Sequence, residues 1–377
     1  MTGIDLRFVT DILQGKTPET MADWHAVVGY LELNRVAGYF RQQTEERKIA
    51  LPPQVASCLR RAERYQTARG IQMRTWLKEV ASALEHEKIV YAVLKGNVLA
   101  HVDLTAPEGA KFKTACYREG GRASNDIDLL VCPSEVGKVE RVLTDLGFVQ
   151  GYYNDAAQSV RTMTRREILE RRMNRGETVP FQRILESTEL PHIEIDINFS
   201  LDYLPNGMKD TLSAMMGRTR LYALREGGTV RSLEQIDFLV HLILHQYKEM
   251  RVYSMVMRGK DLELYKLLDI YLLLQQVSQE ELYERVCAYG IEAQTSIVLK
   301  TVCDFFDDLQ LIDELKFLKE NTMEFSEAKL VVDPTQKNKP YVWTAETAER
   351  ASRFDHTVML AETTCQGEER WKIHSER

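Results

Sequence analysis

The sequence predicts an α+β fold, with a strand-bearing core set between an N-terminal helical region and a C-terminal helical block. Three observations carry this. Apolar residues recur at helical spacing in the first eighty-odd positions, as at Met73, Trp76, Leu77, Val80 and Leu84. Short β-branched runs follow at 89–94, 126–131 and 193–199. Helical spacing then returns after Leu201, marked by Leu233, Ile236, Val240, Ile243, Leu244 and Tyr247.

The elements come in a definite order. Residues 1–86 read as a helical region, punctuated at Pro52-Pro53. Residues 87–204 read as the core. Its first strand ends at Lys95-Gly96, with the start of a helix near Val98. An irregular loop is expected at about 103–123, where Pro107, Gly109, Gly120 and Gly121 fall. The strand at 126–131 closes at Pro133, and Val136, Val139, Val142 and Leu143 form one face of a helix capped at Gly147. Phe148-Val149 looks like a returning strand. An arginine-rich segment at about 161–183 reads as a solvated helix or connection, or as a surface attracting anions. Residues 205–330 form the second helical block, and 331–377 a polar tail.

Composition narrows the class of function. With 377 residues and a net charge of −7, the chain exceeds one compact core and is poorly suited to broad contact with nucleic-acid phosphates. A nucleic-acid partner is therefore not expected. No apolar run approaches the ~20 residues a membrane helix needs, and the N-terminus lacks a secretory pattern. Six cysteines without CxxC spacing fit reduced thiols in a cytoplasmic protein. His241 and His245 share a helix face, but residue 242 is leucine, so the zinc-protease pattern HExxH is missing and a structural role is expected.

The chemistry resides in two strands. Side chains alternate across a strand, so Asp126 and Asp128 share one face while Ile127, Leu129 and Val131 share the other. Neighbouring carboxylates each resist ionisation, and a hard divalent cation, Mg²⁺ or Mn²⁺, relieves that repulsion. The strand at 193–199 repeats the alternation with Glu194, Asp196 and Asn198 on one face. If the two strands are neighbours, Asp196 supplies a third carboxylate, with Glu194 as the alternative metal ligand. Such a site suits two-metal phosphoryl chemistry on a nucleoside triphosphate.

The chain resembles the uncharacterised nucleotidyltransferase family of the polymerase-β-like superfamily. The resemblance rests on Val93-Leu94-Lys95-Gly96, on the stretch from Arg122 to Val131, and on Ile195-Asp196-Ile197-Asn198-Phe199. It extends to the segments around Trp24, Pro52, His241 and Leu267 and covers about residues 20 to 310. It implies a mixed sheet with helices, flanked by N-terminal helices and a C-terminal helical domain. It implies that Asp126, Asp128 and Asp196 are catalytic and metal-binding. It further implies that Lys95, Gly96, Asn97, Arg122 and Asn125 contact the nucleotide, ATP or another triphosphate, and that the nucleotidyl group goes to a hydroxyl of a small molecule or protein. The chain departs from the superfamily in having Lys95-Gly96-Asn97 where a Gly-Ser turn is usual, and Asn198 where His is frequent. A glycosyltransferase using a nucleotide-sugar, and a non-catalytic antitoxin-like nucleotide-binding module, are the alternatives.

Overall fold

A computed structural model describes residues 5–18, 23–102, 116–205, 207–308, 311, 329–333, 339–353 and 355–363. Most of the loop expected at 103–123 lies outside the described residues. In chain order, α1 (Leu6–Leu13), α2 (Trp24–Leu33), α3 (Ala37–Glu46) and α4 (Pro53–His86) lead to β1 (Tyr91–Val93), α5 (Lys95–His101), β2 (Asp126–Val131) and α6 (Val136–Asp145). Next come β3 (Val149–Asn154), β4 (Ser159–Thr162), α7 (Arg165–Asn174), β5 (Phe181–Ile184), β6 (His192–Asn198), α8 (Lys209–Met216), β7 (Arg220–Ala223) and β8 (Thr229–Ser232). The remainder is α9 (Gln235–Arg251), α10 (Tyr253–Val256), α11 (Leu264–Leu274), α12 (Gln279–Tyr289), α13 (Glu292–Phe306), β9 (Leu330–Asp333), β10 (Lys339–Trp343), α14 (Thr347–Ala351) and β11 (Leu360–Glu362). The expected α+β architecture, a mixed sheet accompanied by helices, is what the chain forms.

Two compact units result. One is Glu63–Phe238; the other joins Met1–Ala62 to Leu239–Arg377. The first holds an eight-stranded sheet in the order β4-β3-β5-β6-β2-β1-β8-β7. Two pairings, β2 with β6 and β1 with β8, are parallel, and the rest are antiparallel. One face of the central strands is wholly apolar: Ile127, Leu129 and Val131 from β2 and Ile193, Ile195 and Ile197 from β6 are all fully buried. The Val136, Val139 and Leu143 stripe of α6 is buried too. Gly147 (φ +80°) ends that helix in a conformation that costs a side chain dearly. Phe148 then meets Trp76 of α4 edge-on at 5.7 Å, and the Arg183 guanidinium covers Trp76 at 4.5 Å.

The arginine-rich segment is more ordered than a simple connection. It comprises β4, α7 and β5. Thr164 and Glu167 form a reciprocal capping box that starts α7, yet no residue of α7 is buried. Its arginines are tied to acids: Arg166 to Glu170, Arg171 to Glu177 and Arg172 to Glu140. Burial through β5 is what makes the end of the segment a strand, since Phe181 and Gln182 are both buried.

The second unit is mainly helical. α11 and α13 bury Leu264, Leu267, Leu268, Ile270, Val298, Leu299, Val302 and Phe306. Tyr271 stacks on Phe306 at 4.5 Å, accepts from Gln14 and donates to Asp308. Ser278 caps α12 and Gly290 (φ +61°) ends it. Lys266 pairs with Glu249 and Glu263. Within the expected polar tail, β9, β10 and β11 form an antiparallel sheet over a small core of Val256, Val331, Tyr341, Trp343 and Met359. Buried Asp261, held by Arg350 and His356, sits in the same unit. No helix among the described residues is long and apolar enough to cross a membrane.

The apolar wall behind β2 and β6 should dominate the stability of its unit. Ile195→Ala is expected to cost about 2–5 kcal/mol. Leu169→Ala, at a half-exposed site on α7, should stay within about 0.5 kcal/mol. Urea unfolding of the two variants checks this, and equal effects would contradict the packing described.

Candidate active site

Parallel pairing of β2 and β6 decides the geometry of the site. The register sets Asp126 opposite Glu194 and Asp128 opposite Asp196. Because both strands point their even-numbered residues to the same face, four carboxylates converge there. Carboxylate oxygens of Asp126, Glu194 and Asp196 all lie within 4.8 Å of one another. Among the described residues no other group of three His, Cys, Asp or Glu gathers so closely.

Asp128 sits deeper, only 2% exposed. It is engaged differently: Lys95 Nζ donates to Asp128 Oδ1 at 2.7 Å, and Asn198 Nδ2 donates to the same oxygen at 3.4 Å. Burial pushes the Asp128 carboxyl up to about 6, against the opposing pull of Lys95 and with a further push from Asp126. Burial also raises Asp196 well above the usual carboxylate range, and repulsion from Asp128, Asp126, Glu194 and Glu177 adds to it. Glu194 is raised by burial as well, while the amide of Gln182 donates to it and partly offsets the shift. These carboxylates are packed more densely than their own charge favours, and the Lys95 ammonium offsets part of the repulsion at Asp128. The hard oxygen donors fit a divalent ion of the Mg²⁺ or Mn²⁺ kind, because such an ion supplies the missing positive charge.

The turn between β1 and α5 holds the other wall. Lys95 has φ +53°, a left-handed backbone that a lysine adopts only under constraint. Gly96 approaches the 122–124 loop so closely that a Cβ there would lie 3.1 Å from Ser124 Oγ and 3.4 Å from Arg122 Cζ. Asn97 is fully buried. Its side-chain amide donates to the Asp126 carbonyl and to Ser124 Oγ, so it fastens the start of β2. Arg122 is also buried and donates to the Ala123 carbonyl. Asn125 is exposed and accepts from Arg69 at 3.3 Å. The structure thus brings Lys95 against the Asp128 carboxylate and Asn97 against the Asp126 backbone, with Gly96 and Arg122 packed on one another. It gives Asn97 and Arg122 bonds to the protein backbone, and it leaves Asn125 at the rim.

Three neighbours escaped the sequence reading. Gln182 lay in the arginine-rich segment, where no strand was expected. Glu177 faces the Asp196 side through its bridge to Asn198. His192 lay one step before the recognised strand, although its alternation with Glu194 and Asp196 was a usable signal. His241 and His245 belong to the other unit. There their rings lie nearly parallel at 6.2 Å, and His245 Nε2 is 3.4 Å from Glu249.

A mixed sheet with paired acidic strands beside a Lys-Gly turn offers carboxylate donors that could hold a metal ion. The model of an uncharacterised nucleotidyltransferase family matches residues 20–307, and the chain belongs to that family. It is accordingly a nucleotidyltransferase. No curated protein matches the chain.

Crowding of the acids has a measurable sign. A carboxyl raised in the folded state binds more protons than the unfolded chain does. Stability contributed by Asp196 therefore falls as pH climbs above the ordinary carboxylate value of 3.8. Asp196→Asn is expected to raise Tm at pH 8 in the presence of a chelator, by about 2–4 °C per 1 kcal/mol relieved. The gain should shrink at pH 5. Thermal unfolding at both pH values checks this, and a loss of stability at pH 8 would show that the acids do not repel.

Proposed function

We propose that the chain transfers a nucleoside monophosphate, AMP from ATP in the expected case, to a hydroxyl of an acceptor and releases pyrophosphate. The observation that supports it most is the carboxylate cluster of β2 and β6 lying against the Lys95-Gly96 turn. Asp126, Asp128 and Asp196 would hold Mg²⁺ or Mn²⁺, with Glu194 placed to share in the binding. When bound, the divalent ions would neutralise charge on the triphosphate and favour an ionised acceptor oxygen.

The chain's own residues do the rest. Lys95 exchanges Asp128 for a phosphate oxygen and acts as a point charge on the leaving pyrophosphate. Gly96 permits close backbone approach. Asn97 and Ser124 keep the Asp126 carbonyl, and with it the start of β2, in place. Arg122 steadies the loop beside them, and Asn125 borders the entrance. The acceptor oxygen forms a bond to the α-phosphorus, and the bond from that phosphorus to its bridging oxygen breaks. Pyrophosphate leaves with the electron pair, and a carboxylate of the cluster takes up the acceptor's proton. A cytosolic location, where ATP and Mg²⁺ are abundant, belongs to the same proposal. Neither a sugar-nucleotide donor nor a non-catalytic role has a specific observation in its favour.

The test is pyrophosphate release from ATP with Mg²⁺. Asp126→Asn should lower the rate by about 100-fold or more while far-UV circular dichroism stays unchanged, because transition-state charge loses its counter-ion. Lys95→Ala should raise KM for ATP about tenfold, the worth of one charge-assisted hydrogen bond. Equal rates for wild type and Asp126→Asn would overturn the assignment.

A further inference from the structure

The face that carries the carboxylates continues past β6. Ile184 of β5 pairs with His192, and Gln182 pairs with both Glu194 and Val149 of β3. Val149, Gln182, Ile184 and His192 therefore share the face of Glu194, and Tyr153, farther along β3, reaches His192. There the Tyr153 and His192 rings stack, 3.8 Å between centroids and 18° between planes. Val149 and Ile184 beside them are 44% and 49% exposed. Aromatic and aliphatic side chains thus stand next to Glu194. The side-chain amide of buried Gln182 donates to Glu194 from the neighbouring strand. Arg69 braces the entrance by donating to Asn125 and to the Glu189 carbonyl.

Strand order gives this surface its place in the reaction. Lys95 follows β1, and the order runs β1, β2, β6, β5, β3. With pyrophosphate held on the Lys95 side, an attacking oxygen in line with it must come from the β6 and β5 side. That side is where β6 carries Glu194 and, two residues before it, His192 against the Tyr153 ring. The density of carboxylates there disfavours an anionic acceptor, and the apolar lining offers little to a polyhydroxylated one.

We propose that the Tyr153–His192 surface is the acceptor subsite and takes a small molecule whose hydroxyl is carried on an aromatic ring; this rests on the nucleotidyl-transfer reading above. The ring lies on the apolar surface and its oxygen reaches past Glu194 to the α-phosphorus. The new bond is aryl oxygen to phosphorus, pyrophosphate departs with the electrons of the broken bond, and the phenolic proton goes to a carboxylate of the cluster. Tyr153 is a positioning residue for the acceptor.

The test uses the full chain with ATP and Mg²⁺, comparing N-acetyltyrosinamide with N-acetylserinamide as acceptors. Nucleotidylated product is measured by mass spectrometry and pyrophosphate by a coupled assay. The phenolic probe should give saturable transfer and the serine probe none at equal concentration. Tyr153→Ala should raise KM for the phenol about tenfold, the upper worth of one ring contact, without moving KM for ATP. Tyr153→Phe, which keeps the ring, should restore the wild-type value, while unchanged pyrophosphate release to water by Tyr153→Ala distinguishes acceptor positioning from a folding defect. Equal use of both probes, or a change confined to KM for ATP, overturns the proposal. Pyrophosphate release to water alone, abolished by Asp126→Asn, reports the transfer reading separately. If that release is present and the phenol adds no product, the acceptor proposal falls by itself. If it is absent along with all product, both fall.

Discussion

Everything at the active face depends on two parallel strands forcing acids together. β2 and β6 bury an unbroken wall of Ile, Leu and Val on one side, and this wall fixes their register, since a one-residue slip would send the acids into the core. The wall's energy exceeds the repulsion on the other face. Asp126 must then face Glu194, and Asp128 must face Asp196. The carboxylates did not choose this arrangement; the hydrophobic side imposed it on them. Raised proton affinities at Asp128, Glu194 and Asp196 are the visible consequence.

Lys95 answers part of that repulsion, and its placement is costly. A left-handed backbone at a lysine has to be held by its surroundings. The hold comes from both sides. The Leu94 amide donates to the Asp128 carbonyl at 3.0 Å, and the neighbouring Asn97 side chain is fastened to the Asp126 carbonyl and Ser124. The same bonds that set the turn also set β2, so turn and acids move together. One ammonium beside four carboxylates still leaves an excess of negative charge, which suits a site that recruits cations with its substrate.

Much of this was legible in the sequence. Alternation at Asp126–Val131 and Ile193–Phe199 located both strands and the shared face of their acids. The amphipathic spacing of α6 and its Gly147 cap were legible for the same reason: local periodicity records which face is buried. What local periodicity does not record is pairing between distant strands. Whether Asp196 or Glu194 stands nearest Asp126 depends on a register between residues some seventy positions apart, and the structure sets Glu194 there. Likewise Asp128 looked equivalent to Asp126, but depth within the sheet gives it to Lys95. The stretch from Arg161 to Arg183 concealed β5 because charge outweighed its two buried residues, Phe181 and Gln182. The antiparallel sheet of β9, β10 and β11 was missed because its short strands pack on Val256, which lies far before them in sequence.

The contrast between α7 and β6 shows how this chain divides stability from chemistry. α7 carries many charges, buries nothing, and matches nearly every arginine to an acid, so its charges are satisfied and cost little. β6 carries few charges, buries Ile193, Ile195 and Ile197, and shows no ion pair for Glu194 or Asp196 among the described residues. A fold tolerates that deficit where surrounding apolar packing is dense, and fully buried Ile193, Ile195 and Ile197 lie directly behind these two acids. Unmatched charge is therefore concentrated where apolar packing supports it, and that is also where a divalent cation would be attracted.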